Sequence, residues 1–161
     1  MTKPYRILCV CMANVVRSPV AEAVLRSYIA KSRLAGHVEV SSAGTHGFRV
    51  GEYCDRRTQD AAWARGYDLS QHQSVKIGWQ DFDYFDLILA MDKFSLNKLR
   101  NMATDEQQAR INLFMNYAKD LDVDEVPDPY MTLGMTIEKM LDMVELGAVG
   151  VINELEAKDL K

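Results

Sequence analysis

The chain has 161 residues, of which 48% are hydrophobic and 26% charged, so it is long enough for one globular domain spanning residues 1–161. The net charge of −4, without a basic cluster, argues against nucleic-acid binding, and no signal peptide or apolar run near the roughly 18 residues that span a bilayer indicates membrane association. The three cysteines, at positions 9, 11 and 54, match neither a disulfide framework nor a metal site, so we expect a cytoplasmic protein with no metal and no cofactor.

The first predicted elements are a strand over residues 5–10 and a helix that begins near Pro19, where Ser18 can cap the helix and proline suits its first position. Cys11 and Arg17 lie between the two elements. A strand that leads through a tight loop into a helix directs backbone N–H groups and the positive helix end at one point, which makes an anion site. The same field, with Arg17 beside it, favours the thiolate form of Cys11. The loop is therefore suited to attack on a bound phosphoryl group.

The loop reads Cys-Met-Ala-Asn-Val-Val-Arg-Ser-Pro over residues 11–19. It resembles the phosphate-binding loop of the low-molecular-weight protein tyrosine phosphatases, whose pattern is Cys-x-Gly-Asn-x-Cys-Arg-Ser-Pro. Ala13 replaces the family Gly and Val16 replaces the second Cys. If the Gly has a positive φ, alanine there costs about 1 kcal/mol. The resemblance implies that phosphate is bound by Met12, Ala13, Asn14, Val15, Val16, Arg17 and Ser18.

Further strands are predicted over residues 38–41, 87–92 and 111–114, and helices over residues 58–65, 93–100 and 136–158. We expect Gly147 and Gly150 to weaken or kink the last helix. The continuous apolar run 87–91 is typical of a parallel sheet covered on both faces. The predicted fold is a single α/β domain with a four-stranded parallel sheet, helices on both faces, and the phosphate-binding loop after the first strand. Ligands bind at the carboxyl edge of such a sheet.

Three residues outside the loop are assigned supporting roles by the resemblance. Ser42, with Ser41 as the second candidate, would hydrogen-bond within a network that braces Asn14, although an ordinary Ser/Gly turn is an equal alternative. His72 would hydrogen-bond the Ser that follows the loop Asn. Phe48 would lie on the rim of the substrate cleft. Within the loop, Ser18 would hydrogen-bond the Cys11 sulfur and help it leave. Asn14 would brace the loop, since asparagine suits a left-handed backbone conformation better than most residues.

The acidic segment 120–130 ends in Pro-Asp-Pro-Tyr. On composition alone it is an ordinary solvated loop. The resemblance implies that Asp128, held on a stiff backbone between two prolines, is the general acid and that Tyr130 is an aromatic wall of the cleft. Asp92, at the end of the third strand, either orients the phosphate loop or caps the next helix, and we favour the cap.

The resemblance covers nearly the whole chain and implies a metal-independent phosphatase that acts on phosphotyrosine-containing proteins as a monomer or weak dimer. Cys11 would form a phosphocysteine, Arg17 would hold the phosphoryl oxygens, and Asp128 would protonate the leaving phenolate. Because Val16 cannot form a disulfide with an oxidised nucleophile, we expect peroxide to drive Cys11 to sulfinic acid unless Cys9 substitutes.

Three alternatives compete with this interpretation. In a protein-arginine phosphatase of this fold, a small β-branched polar residue in the loop favours phosphoarginine, and Val15 has that shape but an apolar surface. In a catalytically impaired phosphate-binding module, Ala13 would be the lesion, although such a module needs no general acid. A thioredoxin-coupled arsenate reductase would need two cysteines downstream of the loop, and Cys54 is the only one.

Overall fold

The computed structural model describes residues 3–158 and 160. The part of the chain that it describes has four strands and five α-helices. The strands are β1 (Tyr5–Cys11), β2 (Val38–Gly44), β3 (Leu87–Ala90) and β4 (Ile111–Leu113). The helices are α1 (Arg17–Ala30), α2 (Arg56–Trp63), α3 (Asp81–Tyr84), α4 (Lys93–Met102) and α5 (Ile137–Ala157), and short 3-10 turns cover Gln107–Arg110 and Phe114–Tyr117.

The four strands form one parallel sheet in the order β2-β1-β3-β4. β1 is central, and Cys9 lies between Ser42 of β2 and Leu89 of β3. Parallel neighbours need long connections, which the helices supply. All carboxyl ends therefore meet at one edge, where β1 leads into the phosphate loop. The predicted α/β fold class is confirmed.

Alternating side chains of β1 enter two separate cores. Ile7, Cys9 and Cys11 pack in the larger core with α1 and α5. Leu8 and Val10 face the smaller core, which contains α3 and α4. Because successive side chains of a strand point to opposite faces, this division places helices on both sides of the sheet, as predicted.

The last helix is continuous through both of its glycines, so the predicted weak points do not interrupt it. A Cβ atom at Gly147 would lie 2.2 Å from the ring of Phe114, and one at Gly150 would lie 1.8 Å from the carbonyl oxygen of Tyr117. The glycines therefore allow the 3-10 turn after β4 to pack directly against the helix backbone. No helix among residues 3–158 and 160 is long and apolar enough to cross a membrane.

The beginning of α1 differs from the prediction. The helix starts at Arg17, the residue at its N-cap position is Val16, and no side chain caps it. Ser18 lies inside the first turn and is fully buried. The predicted capping role of Ser18 is wrong because its hydroxyl contacts Cys11 instead. β2 continues to Gly44, three residues beyond the predicted end of the strand at residue 41. Ser42 therefore lies in the strand and not in a Ser/Gly turn.

Candidate active site

The phosphate loop, residues 12–16, connects β1 to α1 at the carboxyl edge of the sheet. Asn14 has a φ of 59° and is the one non-glycine residue with positive φ among the described residues. The steric cost considered for Ala13 is therefore absent, because the left-handed position is occupied by Asn14, whose side chain tolerates it. Among residues 3–158 and 160, no acceptor is found for the N–H groups of Ala13, Val15 and Val16. The loop thus presents a group of free donors to an anion.

The thiol of Cys11 lies at the base of this loop and is 3% exposed. The Asn14 N–H donates to Sγ at 3.3 Å, and Ser18 Oγ lies 3.0 Å from Sγ. Ser18 Oγ also accepts a bond of 2.8 Å from Asn14 Nδ2, so its own hydrogen is available to the sulfur. Two donors directed at one sulfur stabilise a thiolate, which is the nucleophilic form.

The Asn14 side chain connects Ser18 to the half-buried carboxylate of Glu22. Its Nδ2 donates to Ser42 Oγ at 3.0 Å, and its Oδ1 accepts from the Val75 N–H at 3.0 Å. Ser42 Oγ in turn donates to Glu22 Oε1 at 2.6 Å. Because a carboxylate only accepts, Glu22 orients the Ser42 hydroxyl, which then accepts from Asn14. The donor and the acceptor of each hydrogen bond are thereby fixed along the series from Glu22 to the Cys11 thiol.

Two side chains from the segment after α2 bind the outer face of the loop. His72 Nε2 lies 2.9 Å from the carbonyl oxygen of Asn14, and Ser74 Oγ donates to the carbonyl oxygen of Ala13 at 2.8 Å. In a planar trans peptide the N–H points away from the preceding carbonyl, so the N–H of Val15 is directed to the inner side. His72 therefore contacts the loop, but its partner is this backbone carbonyl and not Ser18 as predicted.

Arg17 is buried and makes two contacts through one nitrogen. Its Nη1 donates to Asp92 Oδ2 at 2.6 Å and to the carbonyl oxygen of Val126 at 3.0 Å. Asp92 Oδ1 also accepts from the Ser95 N–H at 2.8 Å and so caps α4. Burial alone would raise the pKa of Asp92, but the Ser95 N–H bond and the Arg17 charge together lower it below its usual value. Asp92 thus both caps the helix and holds Arg17.

The segment that carries Asp128 is attached to the same region. The Val126 N–H donates to the carbonyl oxygen of Met91 at 2.8 Å, while its own carbonyl binds Arg17. Asp128 Oδ1 accepts from the Tyr130 N–H at 2.9 Å. The bonds of Val126 hold the segment on the end of β3, two residues before Asp128. The Asp128 side chain is half-buried, and its Oδ2 has no partner among the described residues.

Tyr130 closes against the start of α2. Its hydroxyl donates to Asp55 Oδ2, and the Arg57 guanidinium lies 5.4 Å from the ring centroid. Burial and the Asp55 hydrogen bond raise the pKa of Tyr130. The ring is 44% exposed, while Phe48, the other predicted cleft aromatic, is 62% exposed.

Sequence reasoning missed three residues that contact the site: Asp55, Glu22 and Ser74. Each of them reaches a partner more than fifteen positions away in the chain. A local pattern carries no signal for such contacts. Glu22, which follows the loop motif closely, and Ser74, two positions after His72, lay near residues that had been singled out.

The two other cysteines are unsuited to act as nucleophiles. Burial raises the pKa of Cys9 well above its usual value, and burial together with the Asp55 charge raises that of Cys54 to about 12. Both therefore remain thiols at neutral pH. Among residues 3–158 and 160 there is no cluster of three or more His, Cys, Asp or Glu side chains that could hold a metal ion.

Comparison with known proteins identifies the family. The family model for low molecular weight phosphotyrosine protein phosphatases matches residues 6–161. The low molecular weight protein-tyrosine-phosphatase YfkJ of Bacillus subtilis is 32% identical over 150 residues, covering 93% of this chain and 95% of YfkJ.

Solved structures agree with this assignment. The protein tyrosine phosphatase of Entamoeba histolytica superposes with a TM-score of 0.91 at 29% identity, covering 97% of this chain and 99% of that chain. A Drosophila arginine phosphatase superposes with a TM-score of 0.85 at 29% identity, covering 95% and 99%. The chain belongs to the low molecular weight phosphotyrosine protein phosphatase family.

Proposed function

We propose that this protein hydrolyses phosphotyrosine in protein substrates through a phosphocysteine on Cys11, with Asp128 as general acid. The observation that carries the proposal is the environment of the Cys11 sulfur, which receives the Asn14 N–H and lies beside the Ser18 hydroxyl within a loop of free N–H donors. A stabilised thiolate next to an anion site has the two parts that in-line attack on phosphorus requires. Membership of the family supports the same chemistry.

In the first step the Cys11 thiolate attacks phosphorus, an S–P bond forms, and the bond to the phenolic oxygen breaks. Asp128, protonated on Oδ2, gives its proton to the departing oxygen. Arg17 holds two equatorial oxygens: its Nη1 is used by Asp92 and Val126, while Nε and Nη2 have no partner among the described residues and form the fork that suits a phosphoryl group.

In the second step a water molecule attacks the phosphocysteine. The Asp128 carboxylate takes one proton from this water, the new P–O bond forms, and the S–P bond breaks. The departing sulfur regains its negative charge, which the Ser18 hydroxyl stabilises from 3.0 Å. Inorganic phosphate leaves and the thiolate is restored. No step requires a metal ion.

The test is hydrolysis of para-nitrophenyl phosphate and phenyl phosphate in EDTA between about pH 5 and pH 8. We expect Cys11→Ser to abolish turnover of both substrates. Asp128→Ala should lower kcat by about a hundredfold or more on phenyl phosphate, whose leaving group needs the proton, and by less on para-nitrophenyl phosphate.

Asp122→Ala is the matched control, because Asp122 is an exposed carboxylate in the same acidic segment. It should behave as wild type. Equal losses of Asp128→Ala on the two substrates would contradict the acid role, and residual turnover in Cys11→Ser would contradict the phosphocysteine.

A protein-arginine phosphatase is the second candidate, favoured by the likeness to the Drosophila arginine phosphatase. Val15, which is half-buried in the loop, has the β-branched shape that favours phosphoarginine but an apolar surface. We expect wild type to prefer a phosphotyrosine peptide over a phosphoarginine peptide, and Val15→Thr to narrow that preference. A preference of wild type for phosphoarginine would make this second candidate the function.

A phosphate-binding module without activity is the remaining alternative. It requires that Ala13, in place of the family Gly, impair catalysis. Backbone strain at Ala13 does not support it, since the positive φ belongs to Asn14. Wild type that binds inorganic phosphate but turns over neither aryl phosphate would establish it.

A further inference from the structure

Three aromatic side chains gather beside the phosphate loop, and we call them the aromatic rim: His46, Phe48 and Phe94. The His46 ring stacks on Phe94 with centroids 5.8 Å apart and an interplanar angle of 23°, and it lies 6.0 Å from the tilted ring of Phe48. Phe94 is 56% exposed and Phe48 62%. A contiguous exposed aromatic surface of this kind is typical of a binding site, whereas single exposed aromatics are common.

The rim is attached to the catalytic loop through the backbone. The His46 N–H donates to the carbonyl oxygen of Met12 at 3.0 Å, and the preceding Thr45 N–H donates to that of Cys11 at 2.9 Å. Thr45 Oγ1 lies 2.9 Å from His46 Nδ1 and orients the ring. Met12 directly follows the nucleophile, so the rim borders the phosphate site.

Phe94 approaches from the other neighbouring strand. It is the second residue of α4, directly after the turn in which Asp92 caps the helix and holds Arg17. Consecutive Cα atoms of a peptide are about 3.8 Å apart. We therefore expect the residues on either side of a phosphotyrosine seated over Cys11 to pass beside the rim.

Two of the charged groups next to the rim are paired within the chain, whereas the exposed Lys76, whose side chain lies beside Gly47, has no ion-pair partner among the described residues. Lys93 lies 2.8 Å from Asp124, and Arg49 lies 3.1 Å from Glu52. The exposed rings and the Lys76 ammonium are therefore the features available to a substrate, and the ammonium disfavours a basic side chain there. Stacking on His46 also leaves more than half of Phe94 open, and an aromatic ring packs well against a further ring or an aliphatic side chain.

We propose that the aromatic rim is a specificity subsite that takes an aromatic or large aliphatic side chain next to the phosphotyrosine of a protein substrate. This inference rests on the proposed phosphatase function and names the class of substrate that the same site prefers. The continuity of the rim with the phosphate loop selects a substrate segment as its occupant, because a peptide that places its phosphotyrosine at Cys11 carries its flanking residues beside the loop. His46 and Phe94 act on the flanking residue and take no part in the chemistry.

The test compares kcat/KM for phosphotyrosine peptides that differ only in the two flanking residues, which are Ser, Phe, Leu or Arg. We expect wild type to prefer the Phe and Leu peptides over the Ser peptide by roughly fivefold to tenfold. Phe94→Ala and His46→Ala should remove this preference and leave hydrolysis of para-nitrophenyl phosphate unchanged. Phe94→Leu should restore part of it.

Tyr84→Ala is the control for loss of an exposed aromatic. Tyr84 is 51% exposed and packs under Arg6 near the amino end of β1, at the opposite edge of the sheet, so the preference should persist. Equal rates on all peptides, a preference for Arg, or an unchanged preference in Phe94→Ala would each overturn the inference. Absence of any turnover by wild type would instead refute the proposed function, and the inference with it.

Discussion

Asp92 is the residue whose two contacts are most easily separated by substitution. Asp92→Asn keeps a good capping side chain for α4 but removes the charge that holds Arg17, whereas Asp92→Ala removes both. The ion pair is well shielded, with side chains 9% and 16% exposed. Removing one partner of a fully buried pair costs about 3–5 kcal/mol and of an exposed pair less than about 1 kcal/mol.

From this burial we expect Asp92→Asn to lower the free energy of unfolding by about 2 kcal/mol. The lost cap adds about 1 kcal/mol in Asp92→Ala. At about 2–4 °C per kcal/mol for a chain of this size, Tm should fall by about 4–8 °C and 6–12 °C. Both variants should lose kcat, because Arg17 and the Val126 carbonyl are no longer held together.

The assay is urea unfolding of wild type and Asp92→Asn as a function of pH. Because the pKa of folded Asp92 is lowered, its contribution is present above the unfolded value of about 3.9 and is lost as pH falls through the folded pKa. The difference in stability should therefore be constant near neutral pH and shrink below about pH 4.

Asp124→Asn is the control for this experiment, since it breaks an exposed ion pair beside the same helix end. Its stability should stay near that of wild type. An Asp92→Asn variant as stable as wild type, or a difference that does not change in acid, would refute the energetic role of the Arg17 pair.

Three further outcomes follow from the contacts. Gly150→Ala should lower Tm by several degrees despite the better helix propensity of alanine, because the new methyl would meet a carbonyl oxygen at 1.8 Å; an unchanged melting curve would contradict this. Ser42→Ala should lower kcat by roughly tenfold with little change in KM, because Asn14 loses an acceptor; wild-type kcat would contradict it. After peroxide, dithiothreitol should restore little activity to Cys11, since Cys9 is a buried thiol of raised pKa; full recovery in Cys9→Ser would refute this.

Local sequence signals predicted the fold well because each strand and helix carries its own pattern. The apolar run before Cys11 and the periodic residues after Arg17 are enough to place a strand and a helix around a loop. Ser18 shows the limit of this reasoning. A serine before a proline is typical of an N-cap, but tertiary contacts with Cys11 and Asn14 bury it inside the first turn.

The remaining errors come from the same source, which is contact between distant segments. Whether Asp92 capped a helix or oriented the loop could not be decided from the sequence, because its partner Arg17 is 75 positions away. The partner of His72 was wrong for the same reason. Gly147 and Gly150 were predicted to weaken or kink the last helix. That prediction was wrong because the sequence does not show that they pack against the 3-10 turn.

The substitution of Ala13 for glycine shows how the loop distributes its steric demands. The left-handed conformation belongs to Asn14, whose amide makes hydrogen bonds that stabilise it. The close approach of backbones occurs at Gly44, where a Cβ atom would lie 2.8 Å from the carbonyl oxygen of Met12 and 3.2 Å from Cβ of Asn14. Glycine is therefore needed on the strand beside the loop, and alanine at position 13 costs no left-handed strain.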